Sequence, residues 1–150
     1  MRARTFAMTF GLIGALLTAP VVSAGTVTTI RIDVSFGGAE TFTTTGVLLC
    51  PSGTAVSDPQ FVAGSGAKGK GVATFHRVET LTCADGSGSF KLLVDAAANR
   101  TVGGTVGGFA VGRGTLDYVG LHGGGSLRST PKPDGSGTID VYTGMLTIVG

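Results

Sequence analysis

The side chains best suited to chemistry lie close together between positions 113 and 122. Ten residues contain a guanidinium, a carboxylate, a phenol and an imidazole, contributed by Arg113, Asp117, Tyr118 and His122. Such groups at the mouth of a barrel can form a binding or catalytic pocket, so these four are the candidate ligand-binding residues. The alternative, which we favour, is that Tyr118 fills one end of the core and Arg113 pairs with Asp117 at the surface.

Other catalytic and metal-binding patterns are weak. His76 and His122 are far apart and have no carboxylate or cysteine at ligand spacing, so ordinary structural roles explain them better than a metal site. The oxygen-rich run 134–140 lacks the glutamate that completes a calcium loop and is typical of a turn leading into a strand. No nucleophile elbow G-x-S-x-G is present in a strand-turn-helix context. We therefore expect no metal, no cofactor and no hydrolase chemistry.

The first 24 residues have the pattern of a secretory signal peptide. Arg2 and Arg4 precede an apolar run over residues 6–19, and small residues end the segment at Ala24. The apolar run is shorter than the roughly 20 residues that span a bilayer, which disfavours a membrane anchor. The sequence thus predicts a signal peptide over 1–24, a single domain over 25–150 and a secreted protein with no membrane attachment after cleavage.

Removal of this segment changes the charge balance of the chain. The full sequence has 11 basic and 9 acidic residues, and two of the basic ones are Arg2 and Arg4. The remaining chain is formally neutral, so its charge gives no indication of nucleic-acid binding or of a polybasic membrane patch.

The two cysteines constrain the path of the chain. In an exported protein, Cys50 and Cys83 are expected to form a disulfide. A simple hairpin of strands 40–50 and 71–83 would place them at opposite ends, tens of ångströms apart at about 3.3 Å per residue, whereas a disulfide needs Cα atoms within about 7 Å. We therefore expect a return segment, around 54–56 or 60–63, that brings both cysteines to the same rim.

Alternating apolar and polar residues predict strands along the rest of the chain. In the first strand Ile30, Ile32 and Val34 share one face, and in a later one Phe90, Leu92 and Val94 do so. The predicted strands cover residues 26–36, 40–50, 71–84, 89–96, 101–111, 125–130 and 138–149. With the return segment they number eight. Which face of strand 71–84 points inward stays open.

A glycine-rich stretch, residues 112–127, reads GRGTLDYVGLHGGGSL. Glycine between strand-like segments marks sharp bends, so we expect a corner here, with a short turn or a single helical turn plugging one end of the sheet. The spacing G-x-G-T-x-x-Y-x-G-L-x-G-x-G resembles the corner of the allene oxide cyclase and dirigent barrels and of related small secreted bacterial proteins. The resemblance implies an antiparallel β-barrel of about eight strands. No catalytic or binding residue of those families can be transferred, because no further motif matches.

Barrel closure also suits the composition, because open edges rich in Thr, Val and Ile would pair between molecules. A β-sandwich is the alternative architecture that the same strand spacing permits. Two functions remain open. The first is a non-enzymatic structural or binding role outside the cell, and the second is an isomerase, cyclase or dirigent-like protein for a small apolar ligand. A barrel filled with side chains favours the first, and a hollow barrel with a few convergent polar groups favours the second.

Overall fold

A computed structural model describes residues 26–35, 38–61, 71–99, 101 and 103–149 of the chain. The predicted signal peptide, residues 1–24, lies outside these ranges. Within them, no helix is long and apolar enough to cross a membrane. The strands are β1 (Thr26–Ser35), β2 (Glu40–Thr45), β3 (Ser52–Phe61), β4 (Val72–Cys83), β5 (Ser89–Asn99), β6 (Thr105–Gly114), β7 (Leu121–Pro131) and β8 (Gly137–Ile148), with one 3₁₀ helix at Leu116–Tyr118.

The eight strands form one closed barrel in which every neighbouring pair is antiparallel. Consecutive strands pair with each other, and β1 closes the barrel by pairing with β8 from Thr26 opposite Leu146 to Ser35 opposite Gly137. The prediction of an eight-stranded antiparallel barrel is confirmed, and the alternative of a β-sandwich is wrong. Closure satisfies the backbone groups that an open edge of Thr- and Val-rich strands would expose.

The two ends of the barrel differ. We call the rim formed by the end of β4, the start of β5 and the 3₁₀ helix the disulfide end, because Cys50 and Cys83 bond there with their Cα atoms 5.9 Å apart. The opposite rim, where β2 begins at Glu40 and β8 begins at Gly137, is the far end. The predicted disulfide is therefore present.

The return segment predicted from the cysteines is also present, as a full strand. β3 runs over Ser52–Phe61 and pairs with β2 on one side and β4 on the other, with Gly53 opposite Cys83. It is longer than either of the short pieces that the sequence suggested. β2 is correspondingly shorter than predicted, because the chain turns at Gly46, whose φ of +106° favours glycine over other residues.

The glycine-rich stretch is only partly a corner. Residues 112–114 complete β6 and residues 121–127 belong to β7, so most of the stretch is regular strand, contrary to the expectation of sharp bends. The chain leaves the sheet only at residues 115–120, where the predicted single helical turn is the 3₁₀ helix. Glycines fit regular strands here because neighbouring chains pass close by; a Cβ on Gly125, for example, would lie 2.1 Å from the carbonyl oxygen of Thr143.

Apolar side chains fill the barrel toward the disulfide end. Phe90, Leu92 and Val94 share one face of β5, as predicted, and the structure buries all three in the core. On β4, where the sequence left the inward face open, Leu81 is fully buried and Phe75 packs against the same core. Phe90 contacts the rings of Phe42 and Tyr118 edge to face, at centroid distances of 6.1 and 5.2 Å.

Candidate functional site

The four candidate ligand-binding residues do not form one pocket. Tyr118 is buried in the core, whereas Arg113, Asp117 and His122 are exposed. The ring nitrogen Nδ1 of His122 lies 2.9 Å from the carbonyl oxygen of Gly120, an ordinary local contact. Across the described ranges no ion pair joins Arg113 to Asp117, so the surface pair expected in the alternative interpretation is not formed.

Tyr118 occupies the structural position that the alternative predicted. Its hydroxyl accepts a hydrogen bond of 2.9 Å from the backbone N–H of Cys50 and lies 3.1 Å from the hydroxyl of Ser87. Its oxygen is also 3.5 Å from Cys83 Sγ, a disulfide sulfur with no hydrogen to donate. The phenol thus joins the disulfide, the β4–β5 turn and the 3₁₀ helix, and it fills the disulfide end of the barrel.

His76, His122 and the oxygen-rich run make local contacts at the surface. His76 Nδ1 contacts the carboxylate of Asp95 at the surface, where the two residues face each other across β4 and β5. In the turn between β7 and β8, Asp134 accepts hydrogen bonds from the backbone and the hydroxyl of Ser136, which is a local turn contact. In the part of the chain that the structure describes, the one group with metal-binding atoms close together is Cys50, Cys83 and Asp85, and the disulfide already uses both sulfurs.

The most concentrated chemistry lies inside the barrel, at residues the sequence did not single out. Arg77 and Glu79 point inward from β4, and Asp140 and Tyr142 point inward from β8 on the opposite wall. Ser57 of β3 sits opposite Glu79 in the strand register and completes what we call the polar cluster. The cluster lies between the middle of the barrel and the far end. Its residues are Ser57, Arg77, Glu79, Asp140 and Tyr142.

The members of the polar cluster bind one another across the lumen. The guanidinium of Arg77 donates from one terminal nitrogen to Asp140 Oδ2 at 2.5 Å and to the Tyr142 hydroxyl at 2.6 Å. Tyr142 in turn donates to Glu79 Oε1 at 3.3 Å. Ser57 contacts Glu79 Oε2 at 2.6 Å. These contacts link opposite walls of the barrel, because β4 and β8 are four strands apart in either direction around the barrel.

One contact is an ion pair without being a hydrogen bond. Arg77 Nε lies 2.6 Å from Glu79 Oε1, yet its N–H does not point at that oxygen, and Nε has no hydrogen-bond partner. These two groups are therefore close neighbours that share no hydrogen bond through Nε. Phe75 flanks the guanidinium at 5.7 Å from its ring centroid, and the Phe109 ring meets Tyr142 edge to face at 5.4 Å.

Burial and charge shift the ionisation of the polar cluster. Burial raises the pKa of Glu79 above its usual range, although Arg77 and the Ser57 hydroxyl act in the opposite direction. Burial also raises the pKa of the Tyr142 phenol, so this group stays neutral. For Arg77, burial lowers the pKa, but the acidic groups around the guanidinium more than offset this effect and keep it charged. The cluster combines a fixed cation, a neutral phenol and two buried carboxyl groups.

Sequence reasoning missed this cluster because its members come from strands that are distant along the chain. A signal was present on β4, where Arg77 and Glu79 occupy the same alternating face as the apolar Phe75 and Leu81. Two charged residues in the middle of an otherwise apolar face indicate a buried polar site. That Asp140 and Tyr142 on β8 contact Arg77 becomes evident only when the barrel is closed.

No protein-family model, curated protein or solved structure matches this chain.

Proposed function

We propose that this chain is a secreted, non-enzymatic β-barrel protein, related to the allene oxide cyclase and dirigent barrels, with a structural or binding role outside the cell. Export is supported by the signal-peptide pattern of residues 1–24 and by the Cys50–Cys83 disulfide, since disulfides persist in oxidising compartments. N-terminal sequencing of the protein recovered from culture medium tests this part. We expect a chain that starts at Gly25; intact Met1 in the cell fraction would contradict it.

The observation that carries the non-enzymatic proposal is the mutual binding within the polar cluster. Glu79 and Asp140 are 0% and 2% exposed, and both face the Arg77 guanidinium. Glu79 also has Ser57 and Tyr142 as partners, while Asp140 Oδ1 accepts from the Thr138 hydroxyl at 3.2 Å. Groups that are buried and already paired are typical of a structural network, whereas a catalytic group must reach its substrate.

Uptake of an apolar probe tests whether the lumen is filled. We expect the native protein to leave the fluorescence of anilinonaphthalene sulfonate unchanged, because aromatic side chains and the polar cluster occupy the lumen. Saturable uptake of one probe molecule per native protein would contradict the proposal. Uptake into the lumen would change in Phe75→Ala, which alters the space beside Arg77, and not in Leu93→Ala on the outer wall, where Leu93 is 46% exposed.

One observation favours the second candidate, an isomerase, cyclase or dirigent-like protein acting on a small apolar ligand. Polar groups from β3, β4 and β8 converge inside the barrel, and a carboxyl group with a raised pKa can serve as a general acid or base. Arg77, at 14% side-chain exposure, and the half-buried Phe75 would then face the ligand. Probe uptake that depends on Phe75 would lead us to prefer this function.

A further inference from the structure

The hydroxyl of Ser57 lies between two carboxyl groups. Its oxygen is 2.6 Å from Glu79 Oε2 on β4 and 2.8 Å from Glu40 Oε2 on β2, so the three side chains connect three neighbouring strands inside the barrel. Both distances are those of O–H···O hydrogen bonds. Each therefore needs a hydrogen between its two oxygens.

The two hydrogen bonds of Ser57 need two hydrogens, but Ser57 and two ionised glutamates would supply only one. A serine hydroxyl has a single hydrogen, and an ionised carboxylate can only accept. If both glutamates were ionised, one carboxylate oxygen would face a lone pair of Ser57 at less than 3 Å, which is repulsive. One of the two carboxyl groups must therefore carry a hydrogen and donate it to Ser57.

A count of charges in the polar cluster leads to the same number. Arg77 contributes one positive charge, Glu79 and Asp140 contribute two negative charges when ionised, and Tyr142 is neutral because burial raises its pKa. Their sum would be one uncompensated negative charge in the lumen, and a buried net charge is costly. One additional proton makes the polar cluster neutral.

The surroundings place that proton on Glu79. Its side chain is 0% exposed, whereas Glu40 is partly exposed at the far end, where water stabilises a charge. Arg77 Nε is close to Glu79 without donating to it, and the guanidinium directs its hydrogen bonds to Asp140 and Tyr142 instead. The groups that face Glu79 are thus Arg77 on its own strand, Ser57 on β3, Glu40 on β2, and Asp140 and Tyr142 on β8.

We propose that Glu79 is protonated in the folded protein and that the chain Glu79–Ser57–Glu40 is a pH-dependent lock between β2, β3 and β4. In the locked state the Glu79 carboxyl donates to Ser57 Oγ, and the Ser57 hydroxyl donates to Glu40. When the pH rises, the O–H bond of Glu79 breaks and its proton passes to hydroxide or buffer in the solvent. Ser57 then has one hydrogen for two carboxylates, and the lumen gains a negative charge.

The consequence is a loss of stability toward high pH. Because the folded protein holds the pKa of Glu79 above its value in the unfolded chain, the stabilisation is complete at low pH and disappears as the pH rises through the raised value. Asp85 and Asp134 have lowered pKa values, so their contribution to stability is lost as the pH falls rather than as it rises, and at lower pH than that of Glu79. β2, the shortest strand, is where opening is expected.

Carbon-13 NMR of the glutamate carboxyl groups tests the lock directly in the wild-type protein. Spectra from about pH 4 to about pH 9 cover the range in which a raised carboxyl titrates. We expect the Glu79 carboxyl resonance, assigned as the signal missing in Glu79→Gln, to keep the chemical shift of a protonated acid above the pH at which a glutamate in an unfolded peptide ionises. An ionised Glu79 throughout this range in the folded protein would overturn the proposal.

Two matched variants separate the lock from a general effect of charge. In Glu79→Gln the amide donates to Ser57 and the carbonyl accepts from Tyr142, so every hydrogen bond is kept without a titratable proton. We expect its urea midpoint to lack the high-pH decline of the wild type. In Glu40→Gln the new amide donates to Ser57, which is then free to donate to a Glu79 carboxylate, so the Glu79 titration should move to lower pH. A wild-type decline in Glu79→Gln, or an unmoved Glu79 titration in Glu40→Gln, would count against the lock.

Discussion

At the scale of single residues, the Tyr118 side chain both packs and bonds. Its ring meets Phe90 edge to face, and its hydroxyl accepts from the N–H of Cys50. Tyr118→Ala should therefore lower the free energy of unfolding by about 3–5 kcal/mol, as large-to-small aromatic core substitutions do. Tyr118→Phe keeps the ring but leaves the buried Cys50 N–H unpaired, which should cost about 1–3 kcal/mol. Urea denaturation of both variants measures the two contributions.

The exposed neighbours of Tyr118 provide the controls. Arg113→Ala and His122→Ala should each change the free energy of unfolding by less than about 0.5 kcal/mol, since both side chains are exposed. If Tyr118→Ala were as stable as these two variants, the ring could not be a plug, and a ligand site at this rim would have to be reconsidered.

Single residues were predictable where their role is local. Tyr118, between glycines and next to a short apolar run, could be recognised as a plug from the sequence. Arg77 could not be paired with Asp140, because their contact depends on which strands face each other across the lumen. Periodicity gives the face of a residue within its own strand and says nothing of the strand opposite.

At the scale of elements, the end of β6 fits against the 3₁₀ helix only because Gly114 has no side chain. A Cβ at this position would lie 2.2 Å from the carbonyl oxygen of Tyr118. Gly114→Ala should therefore destabilise the protein by about 1–3 kcal/mol, the usual cost of overpacking. The control is Gly112→Ala in the same strand, where the nearest atom would be Lys91 Cβ at 3.3 Å. Thermal and urea unfolding should show the larger loss at position 114; equal losses would mean that the helix moves away freely.

The disulfide fixes the β2–β3 connection to the end of β4. It closes a segment with a sequence separation of 33, which is worth about 3–4 kcal/mol in the chain-entropy model. The double variant Cys50→Ala/Cys83→Ala should lose this amount in urea denaturation. Non-reducing mass spectrometry of the wild-type protein provides the control, and two free thiols in the freshly purified protein would refute the pairing.

Elements were predictable wherever one face alternates cleanly. The strands around Ile30 and Phe90 have this pattern. β3 does not follow from periodicity, but the need to bring Cys50 and Cys83 together indicates it. β7 is longer than the predicted strand, because its first residues include Gly123, Gly124 and Gly125. Glycine has no side chain, so this part of the strand shows no alternation of apolar and polar residues. Such a strand is recognised only by the neighbours that pass close to it.

At the scale of the whole molecule, Arg77 connects opposite walls of the barrel through Asp140 and Tyr142. Arg77→Met should cost about 3–5 kcal/mol, because it leaves a buried carboxylate without its partner. The matched control is Arg31→Met, since Arg31 pairs with Asp33 at side-chain exposures of 48% and 37% and should contribute at most about 1 kcal/mol. Chemical denaturation compares them. Equal losses would show that the contacts across the lumen add nothing to stability.

Closure of the barrel by β1 and β8 has a consequence for the kinetics of folding. Seven of the eight strand pairs join neighbours in the sequence, so each can form as a local hairpin with a modest loss of chain entropy. The pairing of β1 with β8 joins the two ends of the described chain and is the contact of highest sequence separation. We expect this seam to form after the rate-limiting step, so substitutions in it, such as Ile30→Val, should mainly speed unfolding and leave the folding rate almost unchanged.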